Sequence, residues 1–224
     1  DKHLHLGLPN KYVMPSTGIF KKDQFYWDTY FITVGLVKCG RVELAKGMVD
    51  NLVFLFRKFN IVPMRNRYYN LGISQIPFLT SMAEEVFEET KDTQWLLKIT
   101  KVAENELKKY WMNSDLTEKH IVYKGLSRYC DHYITHLAAE HESGWDMTSR
   151  FNDHCLDYLP VDLNACLYKY EIDIANANSN KKKVNEYLEK AEKRQQTMAQ
   201  FMWNEKKGFF LDYNYKKKKQ SNFY

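Results

Sequence analysis

The stretch "DTYFITVGLVKCGRVELAKGMVDNLVFLFRKF" (28–59) decides the fold class, because it reads as two helices joined by one turn. The first segment, 28–39, ends at Gly40, and glycine commonly ends a helix. The second segment, 42–59, follows at once, with apolar residues at spacings of about three and four. The stretch therefore predicts a helical hairpin.

Two further pairs of helical segments follow along the chain. One pair spans 75–90 and 92–112, with Asp92 placed to cap the later helix. The other spans 162–178, opening on Asp162, and 183–203. Repeated helical hairpins predict an all-α fold, and the pattern leaves a bundle, a solenoid and a closed toroid open.

Strand-like alternation is sparse in the sequence. The segments 120–125 ("HIVYKG") and 208–215 ("GFFLDYNY") read as short strands or as extended loops beside the helices. These segments do not change the predicted all-α class.

Length and composition predict a globular chain with a sizeable core, in one domain or two small ones. Of its 224 residues, 44% are hydrophobic. The sequence contains no run of about 18 apolar residues, which is the length needed to span a membrane. The first residues, "DKHLHLGLPN", lack the features of a signal peptide. The chain also lacks an initiator Met, so we expect a processed product or a fragment, from which a signal could have been removed.

The net charge of +5 does not predict a nucleic-acid partner. It comes from two clusters, Lys181 to Lys183 and Lys216 to Lys219, and taking these seven lysines from +5 leaves −2. Phosphate binding needs basic residues spread over one face. We interpret the clusters as solvated turns and expect neither nucleic-acid nor membrane partners.

Cysteine and histidine spacing predicts neither a disulfide framework nor a metal site. The cysteines form no C-x-x-C pair, which is typical of reduced thiols and favours a cytoplasmic protein, or a periplasmic or secreted one if a signal was removed. His132 and His136 could share a helical face, but Tyr133 stands where H-E-x-x-H requires Glu. We therefore expect no metal and no cofactor.

Unusual loops precede each hairpin. They read "KKDQFYWD" (21–28), "VPMRNRYYNLGISQIP" (62–77) and "HESGWDMTSRF" (141–151), and the last places Trp145 and Asp146 directly after Gly144. If equivalent hairpin ends point the same way, these loops gather at one end of the helices.

Several motifs in one order resemble those of trehalases. They are similar also to related inverting α-glycosidases, which include glucosylglycerate and mannosylglycerate hydrolases. The matches cover residues 15 to 213, nearly the whole chain. The motifs are "FYWDTYF" (25–31), "VPMRNRYYNLGISQIP" (62–77), "LSRY" (126–129), "ESGWDMTSRF" (142–151), "PVDLNACLY" (160–168) and "FMWNEKKGFFLDY" (201–213).

The resemblance implies an (α/α)6 toroid with an active site in a cup at one end. Residues 1–224 would form the N-terminal and central part of a single catalytic domain. The remaining helices would come from the rest of the polypeptide or from another chain.

The resemblance also implies that Asp146 is the general acid. An α-glycosidic oxygen leaves poorly unless it is protonated, and a carboxyl group beside an apolar wall keeps its proton near neutrality. Trp145 would supply that wall, and Gly144 would let the backbone turn tightly. The resemblance also implies that Gly144 and Trp145 belong to the substrate-binding site. Without the other motifs, a Trp-Asp pair on a loop reads as an aromatic anchor beside a solvent-facing acid.

By the same resemblance, Trp27, Asp28 and Gln75 bind the sugar ring in the cleavage subsite. The indole would stack on the ring and the carboxylate would accept hydroxyl hydrogens, although Asp28 could simply cap its helix. Asn66 and Arg67 would lie near the cup wall, with loop stabilisation an equal alternative.

"VDLN" (161–164) lies where a helix must start. We therefore expect Asp162 and Asn164 to cap and brace the helix that begins there.

The chain departs from trehalases where the leaving glucose is held. Trehalases use arginines there, whereas this chain has "GIFKKDQ" (18–24) before its first Trp-Asp, Ile73 in place of the arginine of R-S-Q, and Met64 in place of the first Asn of N-G-N-R. The R-P-E arginine falls in a shortened stretch between Arg128 and Asp146. The reaction type is therefore better predicted than the substrate.

An inverting glycosidase needs a second carboxylate to activate water. In trehalases this Glu lies far downstream, and Glu186, Glu189 and Glu192 lie on a polar helix face, so we expect the base outside this chain. The sequence predicts an inverting α-glycoside hydrolase acting on trehalose or a related small α-glycoside. The alternatives are a catalytically inactive carbohydrate-binding relative and a helical-repeat scaffold.

Overall fold

The computed structural model describes residues 4–113 and 120–223 of the chain. The chain divides into two compact units, Asp1–Glu106 and Leu107–Tyr224, which we call the N-terminal and C-terminal units. The N-terminal unit is built from helices and long loops. The C-terminal unit combines helices with short antiparallel strands.

Four helices form the N-terminal unit: α1 (Tyr26–Lys38), α2 (Val42–Phe59), α3 (Leu79–Thr90) and α4 (Thr93–Glu106). The predicted hairpins are confirmed, since α1 packs on α2 and α3 packs on α4. Helices α2, α3 and α4 supply the apolar core of this unit, which includes Met48, Leu52, Leu55, Leu79, Met82 and Ile99.

The helix predicted from residue 75 begins only at Leu79. Pro77 explains the difference, because the ring of a proline disfavours helical backbone at the preceding residue, here Ile76. Gln75 therefore lies in an extended segment before the helix. The cap predicted for the next helix is confirmed, since the Asp92 carboxylate accepts the Trp95 N–H at 3.0 Å.

The C-terminal unit opens with a π-helical turn, Leu107–Trp111, and contains α5 (His136–Ser143), α6 (Val161–Asn176) and α7 (Lys181–Met202). Its strands are β1 (Ile121–Tyr123), β2 (Leu126–Ser127), β3 (Tyr158–Leu159), β4 (Trp203–Asn204), β5 (Phe209–Phe210), β6 (Tyr213–Asn214) and β7 (Lys219–Gln220). All pairings are antiparallel: β1 with β2, β4 with β5, and β6 with both β3 and β7. The two segments left open as strands or loops thus contain strands.

The α6–α7 hairpin and the strands share a core of Leu126, Leu159, Met198, Met202 and Tyr213. Asn164 braces this region as expected, since its fully buried amide donates to the backbone oxygens of Ser127 and Pro160, both at 2.8 Å.

Asp162 does not cap α6, because Pro160 occupies the capping position and Asp162 lies in the first turn.

Helix α5 was not predicted, and it starts at His136, so His132 and His136 do not share a helical face.

Both lysine clusters are largely exposed. Lys181–Lys183 lie in the first turn of α7 and not in a turn between elements. Within the described ranges, no helix combines the length and apolar character needed to cross a membrane.

Candidate active site

Trp27 and Asp28 lie in the first turn of α1, where backbone N–H groups have no partner within the helix. The Trp27 N–H donates to Oε1 of Gln75 at 3.2 Å. Gln75 is 3% exposed and comes from the extended segment before Pro77. This segment therefore holds the first Trp-Asp pair in place through the backbone of Trp27.

Asp28 is partly buried, and burial raises its pKa above the ordinary value. A hydrogen bond from the backbone of Asp28 and one from the Trp27 side chain act in the opposite direction. The capping position of α1 is Phe25, so the alternative interpretation of Asp28 as the helix cap is wrong. Its carboxyl group is thus partly withdrawn from water beside an indole.

An aromatic surface continues from Trp27 along α1. The Trp27 ring meets Phe31 edge to face at 6.4 Å between centroids, and Tyr30 stacks on Phe78 at 4.6 Å. Phe31 is 60% exposed. Aromatic walls with a few polar groups are typical of small-molecule sites.

Asn66 uses its side chain inside the N-terminal unit. Its Oδ1 accepts the Gln24 N–H at 2.7 Å, and its Nδ2 donates to the backbone oxygens of Leu6 and Lys22 at 3.2 and 3.3 Å. These bonds tie three stretches of chain together, as the loop-stabilising alternative requires.

Arg67 is held by Asp23, whose side chain is fully buried. The Arg67 guanidinium donates to the two Asp23 oxygens at 2.6 and 3.2 Å, and Arg65 and His5 also contact that carboxylate. The hydrogen bond from Arg67 to Asp23 is the main reason that the pKa of Arg67 is raised. Arg67 thus also has the contacts of a loop-stabilising residue.

The second Trp-Asp pair lies in a tight loop at the end of α5. Gly144 ends the helix with φ of 76°, and Asp146 also adopts the left-handed conformation, with φ of 53°. Aspartate is one of the few side chains that tolerate this region. The Asp146 carbonyl accepts the Thr148 N–H at 2.8 Å, and within the described part of its unit the exposed Asp146 carboxylate has no hydrogen-bond partner.

Glu142 anchors the start of this loop. Its fully buried carboxylate accepts hydrogen bonds from the Tyr110 hydroxyl and from the Cys130 N–H at 2.7 Å, and it pairs with His120 Nε2 at 3.0 Å. Sequence reasoning assigned no role to Glu142, although it belongs to the quoted "ESGWD" motif.

Arg150 holds the far side of the loop. Its guanidinium makes two hydrogen bonds to Asp162 and two to Asp212, at 2.6 to 3.0 Å. Burial acts to lower the pKa of Arg150, but the hydrogen bonds to the two carboxylates outweigh it and raise the pKa. The Trp145 indole donates to the same Asp162 at 2.8 Å.

A cavity of about 660 Å³ opens beside this loop within the C-terminal unit. Its walls are mainly apolar, with Arg150 and Asp212 at one side. The lining residues include Trp145, Val161, Phe209, Phe210 and Phe223.

One group of metal-ligand types occurs among the described residues: His136, His154 and Asp157 offer ligand atoms within 4.8 Å of one another. The Leu156 N–H, however, donates to Nδ1 of His136 at 3.2 Å. The neutral ring then carries its proton on Nε2, so neither nitrogen is open to a cation. The geometry therefore opposes a metal at this position.

The predicted site residues fall into two groups. Trp27, Asp28, Asn66, Arg67 and Gln75 belong to the N-terminal unit, and Gly144, Trp145 and Asp146 to the C-terminal unit. Their convergence at one end of a toroid stays a prediction. Sequence reasoning missed Asp212 and the role of Arg150, and the only signal was their place in the quoted motifs.

Comparison with solved structures shows the fold. The structure of neutral trehalase Nth1 from Saccharomyces cerevisiae superposes with a TM-score of 0.84 at 25% identity, covering 97% of this chain and 53% of that one. That of the GH63 mannosylglycerate hydrolase from Thermus thermophilus in complex with glucose gives 0.64 at 14% identity, covering 94% and 64%. The predicted fold class, an all-α glycosidase fold of the (α/α)6 toroid type present in part, is confirmed.

Sequence comparison shows the family. The model of the family described as Trehalase matches residues 1–139 and 127–224, so the chain belongs to the trehalase family. The cytosolic neutral trehalase of Beauveria bassiana is 29% identical over 97% of this chain, and a probable trehalase of Saccharomyces cerevisiae is 30% identical over 88%. The chain spans 38% and 33% of the lengths of these two relatives.

Proposed function

We propose that the protein containing this chain is an inverting α-glycoside hydrolase that cleaves trehalose or a related small α-linked glycoside, with Asp146 as general acid. Membership of the trehalase family supports glycoside hydrolysis. The observation that carries the assignment of the acid is the conformation of the Asp146 loop. A left-handed turn presents an exposed carboxyl group while Glu142 and Arg150 fix the chain on either side.

The neighbouring carboxylates are poor alternatives for the acid. Both oxygens of Asp162 and both of Asp212 accept hydrogen bonds from Arg150 or from backbone N–H groups. Glu142 is fully buried and bonded to Cys130. A general acid must reach the leaving oxygen, at roughly 2.6–3.2 Å or through one water. Of these carboxylates, Asp146 is the exposed one, which supports its assignment as the acid.

Trp27, Asp28 and Gln75 are proposed to hold the sugar ring in the cleavage subsite. The exposed aromatic surface that begins at Trp27 offers a face for stacking, and the Asp28 carboxylate can accept hydroxyl hydrogens. Gln75 accepts the Trp27 N–H, which supports a positioning role for Gln75 as well as a polar contact with the sugar.

The general base is proposed to come from residues outside 1–224. It should lie about 6.5–9.5 Å from the acid in an inverting enzyme. Glu186, Glu189 and Glu192 are exposed on α7, and Glu186 pairs with Lys190 on the same helix at 2.6 Å. These contacts are those of solvent-facing helix residues.

The substrate is proposed to be a small sugar, and the protein to act in the cytoplasm without a cofactor. The relative named a cytosolic neutral trehalase supports that location, as do four free cysteines. Ile73, which stands where trehalases have a leaving-group arginine, is 8% exposed. This supports an aglycone subsite different from that of a standard trehalase.

Replacing Asp146 by Asn in the full-length protein tests the proposal. The change keeps the size of the side chain and removes the transferable proton, so turnover of trehalose should fall on the order of 10²- to 10⁴-fold. The loss should shrink for an α-glucosyl fluoride, whose leaving group departs without protonation. Asp153→Asn is the matched control, because Asp153 is also exposed, lies in the same unit and has φ of 60°.

Equal losses on both substrates, with folding intact, would show that Asp146 is not the acid. A full-length protein that binds trehalose yet hydrolyses neither substrate would indicate the alternative, an inactive carbohydrate-binding relative.

A further inference from the structure

We propose that Arg150 is a positioning residue for the general acid. Clamped between Asp162 and Asp212, it fixes the indole of Trp145 and, through it, the left-handed turn that carries Asp146. The inference rests on the proposed function of Asp146, and it assigns to Arg150 a role that acts through Trp145.

The clamp joins three separate stretches of the C-terminal unit. Arg150 belongs to residues 144–151, the segment that carries Asp146 and that we call the acid loop. Asp162 lies in the first turn of α6, and Asp212 lies in the connection between β5 and β6. Nε and one terminal nitrogen of Arg150 reach Asp212 at 2.6 and 2.8 Å, and the terminal nitrogens reach Asp162 at 2.8 and 3.0 Å. Two bidentate pairs on one guanidinium leave it a single orientation.

The two carboxylates are themselves fixed by the backbone. Asp212 Oδ1 accepts the Val161 N–H, and Asp162 Oδ1 accepts the Leu163 N–H, both at 2.9 Å. The start of α6 is therefore the rigid support of the clamp. Its position is set by the packed α6–α7 hairpin and not by the loop that it holds.

The clamp reaches Asp146 through Trp145. The indole Nε1 donates to Asp162 Oδ2, the oxygen that also receives Arg150, and the guanidinium carbon lies 5.8 Å from the centre of the indole ring. Trp145 is 50% exposed, and these two contacts lie on the side of the indole that faces the clamp. Because Trp145 directly precedes Asp146, holding the indole restricts the peptide that aims the acid.

Lysine cannot replace arginine in this arrangement, since one ammonium group cannot make two planar bidentate pairs. In the full-length protein, Arg150→Lys should lower kcat for trehalose roughly 10- to 100-fold with little change in KM, because small misplacements of reacting groups cost about this much. The loss should be smaller on an α-glucosyl fluoride, as for Asp146→Asn.

Arg194→Lys is the matched control. Arg194 is buried, makes a bidentate pair with Glu171 at 2.9 and 3.1 Å in the α6–α7 hairpin, and, within the part of the chain that the structure describes, makes no hydrogen bond to residues 144–151. It should lose stability without a selective loss on trehalose. Trp145→Phe is a second test in case Arg150→Lys folds poorly, because it removes the indole donor of a half-exposed side chain and keeps an aromatic ring.

Hydrogen exchange supplies a readout independent of activity. Arg150→Lys and Trp145→Phe should speed exchange in a peptide covering residues 144–151, and Arg194→Lys should leave that peptide unchanged. Unchanged exchange in the first two variants, or equal losses on both substrates, would overturn the role of Arg150. If instead Asp146→Asn itself shows no selective loss, the proposed acid is wrong, whatever Arg150 does.

Discussion

The dipeptide Trp-Asp occurs twice in the chain, and its two copies are held in opposite ways. Trp27-Asp28 lies in a helical turn, fixed through a backbone N–H by Gln75. Trp145-Asp146 lies in a left-handed loop, fixed through the indole by Asp162 and Arg150. In the first copy the carboxyl group is partly buried, and in the second it is exposed.

This difference suits different tasks. A carboxylate in a helical turn has a fixed direction, as a group that accepts sugar hydroxyls requires. A carboxyl group on a braced loop projects from the surface, as a group that must meet a leaving oxygen requires. The same two residues therefore do not imply the same role, and the surrounding contacts decide.

Among substitutions that compare the first Trp-Asp pair with the second, the largest expected effect is the loss of activity after Asp28→Asn in the full-length protein. Hydrogen bonds to a charged group contribute about 1.5–3 kcal/mol, so kcat/KM should fall roughly 10- to 100-fold. The loss should be equal on trehalose and on α-glucosyl fluoride, because sugar binding is common to both. If the fluoride alone is spared, Asp28 and not Asp146 behaves as the acid.

Gln75→Ala should loosen the attachment of Trp27-Asp28 and leave Trp145-Asp146 unaffected. It removes the hydrogen bond from the Trp27 N–H to Gln75, and such bonds contribute about 0.5–1.5 kcal/mol. We expect a lower free energy of unfolding together with a raised KM. Denaturant unfolding and steady-state kinetics check this. Gln94→Ala, an exposed position on α4, should change neither quantity.

Arg67→Lys separates loop stabilisation from sugar binding. It keeps the charge but loses the paired bonds to Asp23, so the free energy of unfolding should fall by about 1–3 kcal/mol while KM stays unchanged. A raised KM with unchanged stability would place Arg67 in the sugar site instead.

The smallest expected effect is the pH dependence of stability in Asp28→Asn. Because burial raises the folded-state pKa of Asp28, its ionised form costs stability at every pH above that pKa. The variant should therefore be slightly more stable than the parent near neutrality, and the difference should vanish as the pH falls through the folded pKa. A gain that persists in acid, measured by unfolding at several pH values, would contradict this cause.

Much of the fold was predictable because local signals agree in the long hairpins. Gly40 ends α1 and Asp92 caps α4. Apolar spacing marks the buried faces of α2 and α4. Helix α5 was missed because it is short and buries polar side chains, Glu140 and Glu142 among them, so it has no apolar stripe to read. The start of α3 was wrong because the effect of Pro77 was overlooked.

The site was predictable only as far as contiguous motifs extend. Asp146 and Trp145 stand in one short motif, from which the family resemblance predicts their roles, and those roles stay predictions. The contacts between Arg150 and Asp212 join residues 62 positions apart, and no periodicity or spacing signals such a pair. Whether a polar residue such as Asn66 faces a ligand or the backbone likewise depends on tertiary contacts.

The same long separation sets an order of events during synthesis. While the ribosome is translating α7, Arg150 and Asp162 have been synthesised but Asp212 has not, so only half of the clamp can form. The contacts of this loop are complete only when Asp212 is in place beside β6, which pairs with β3. Because distant pairings of this kind form slowly, the loop that carries Asp146 should be among the last parts of the C-terminal unit to fold.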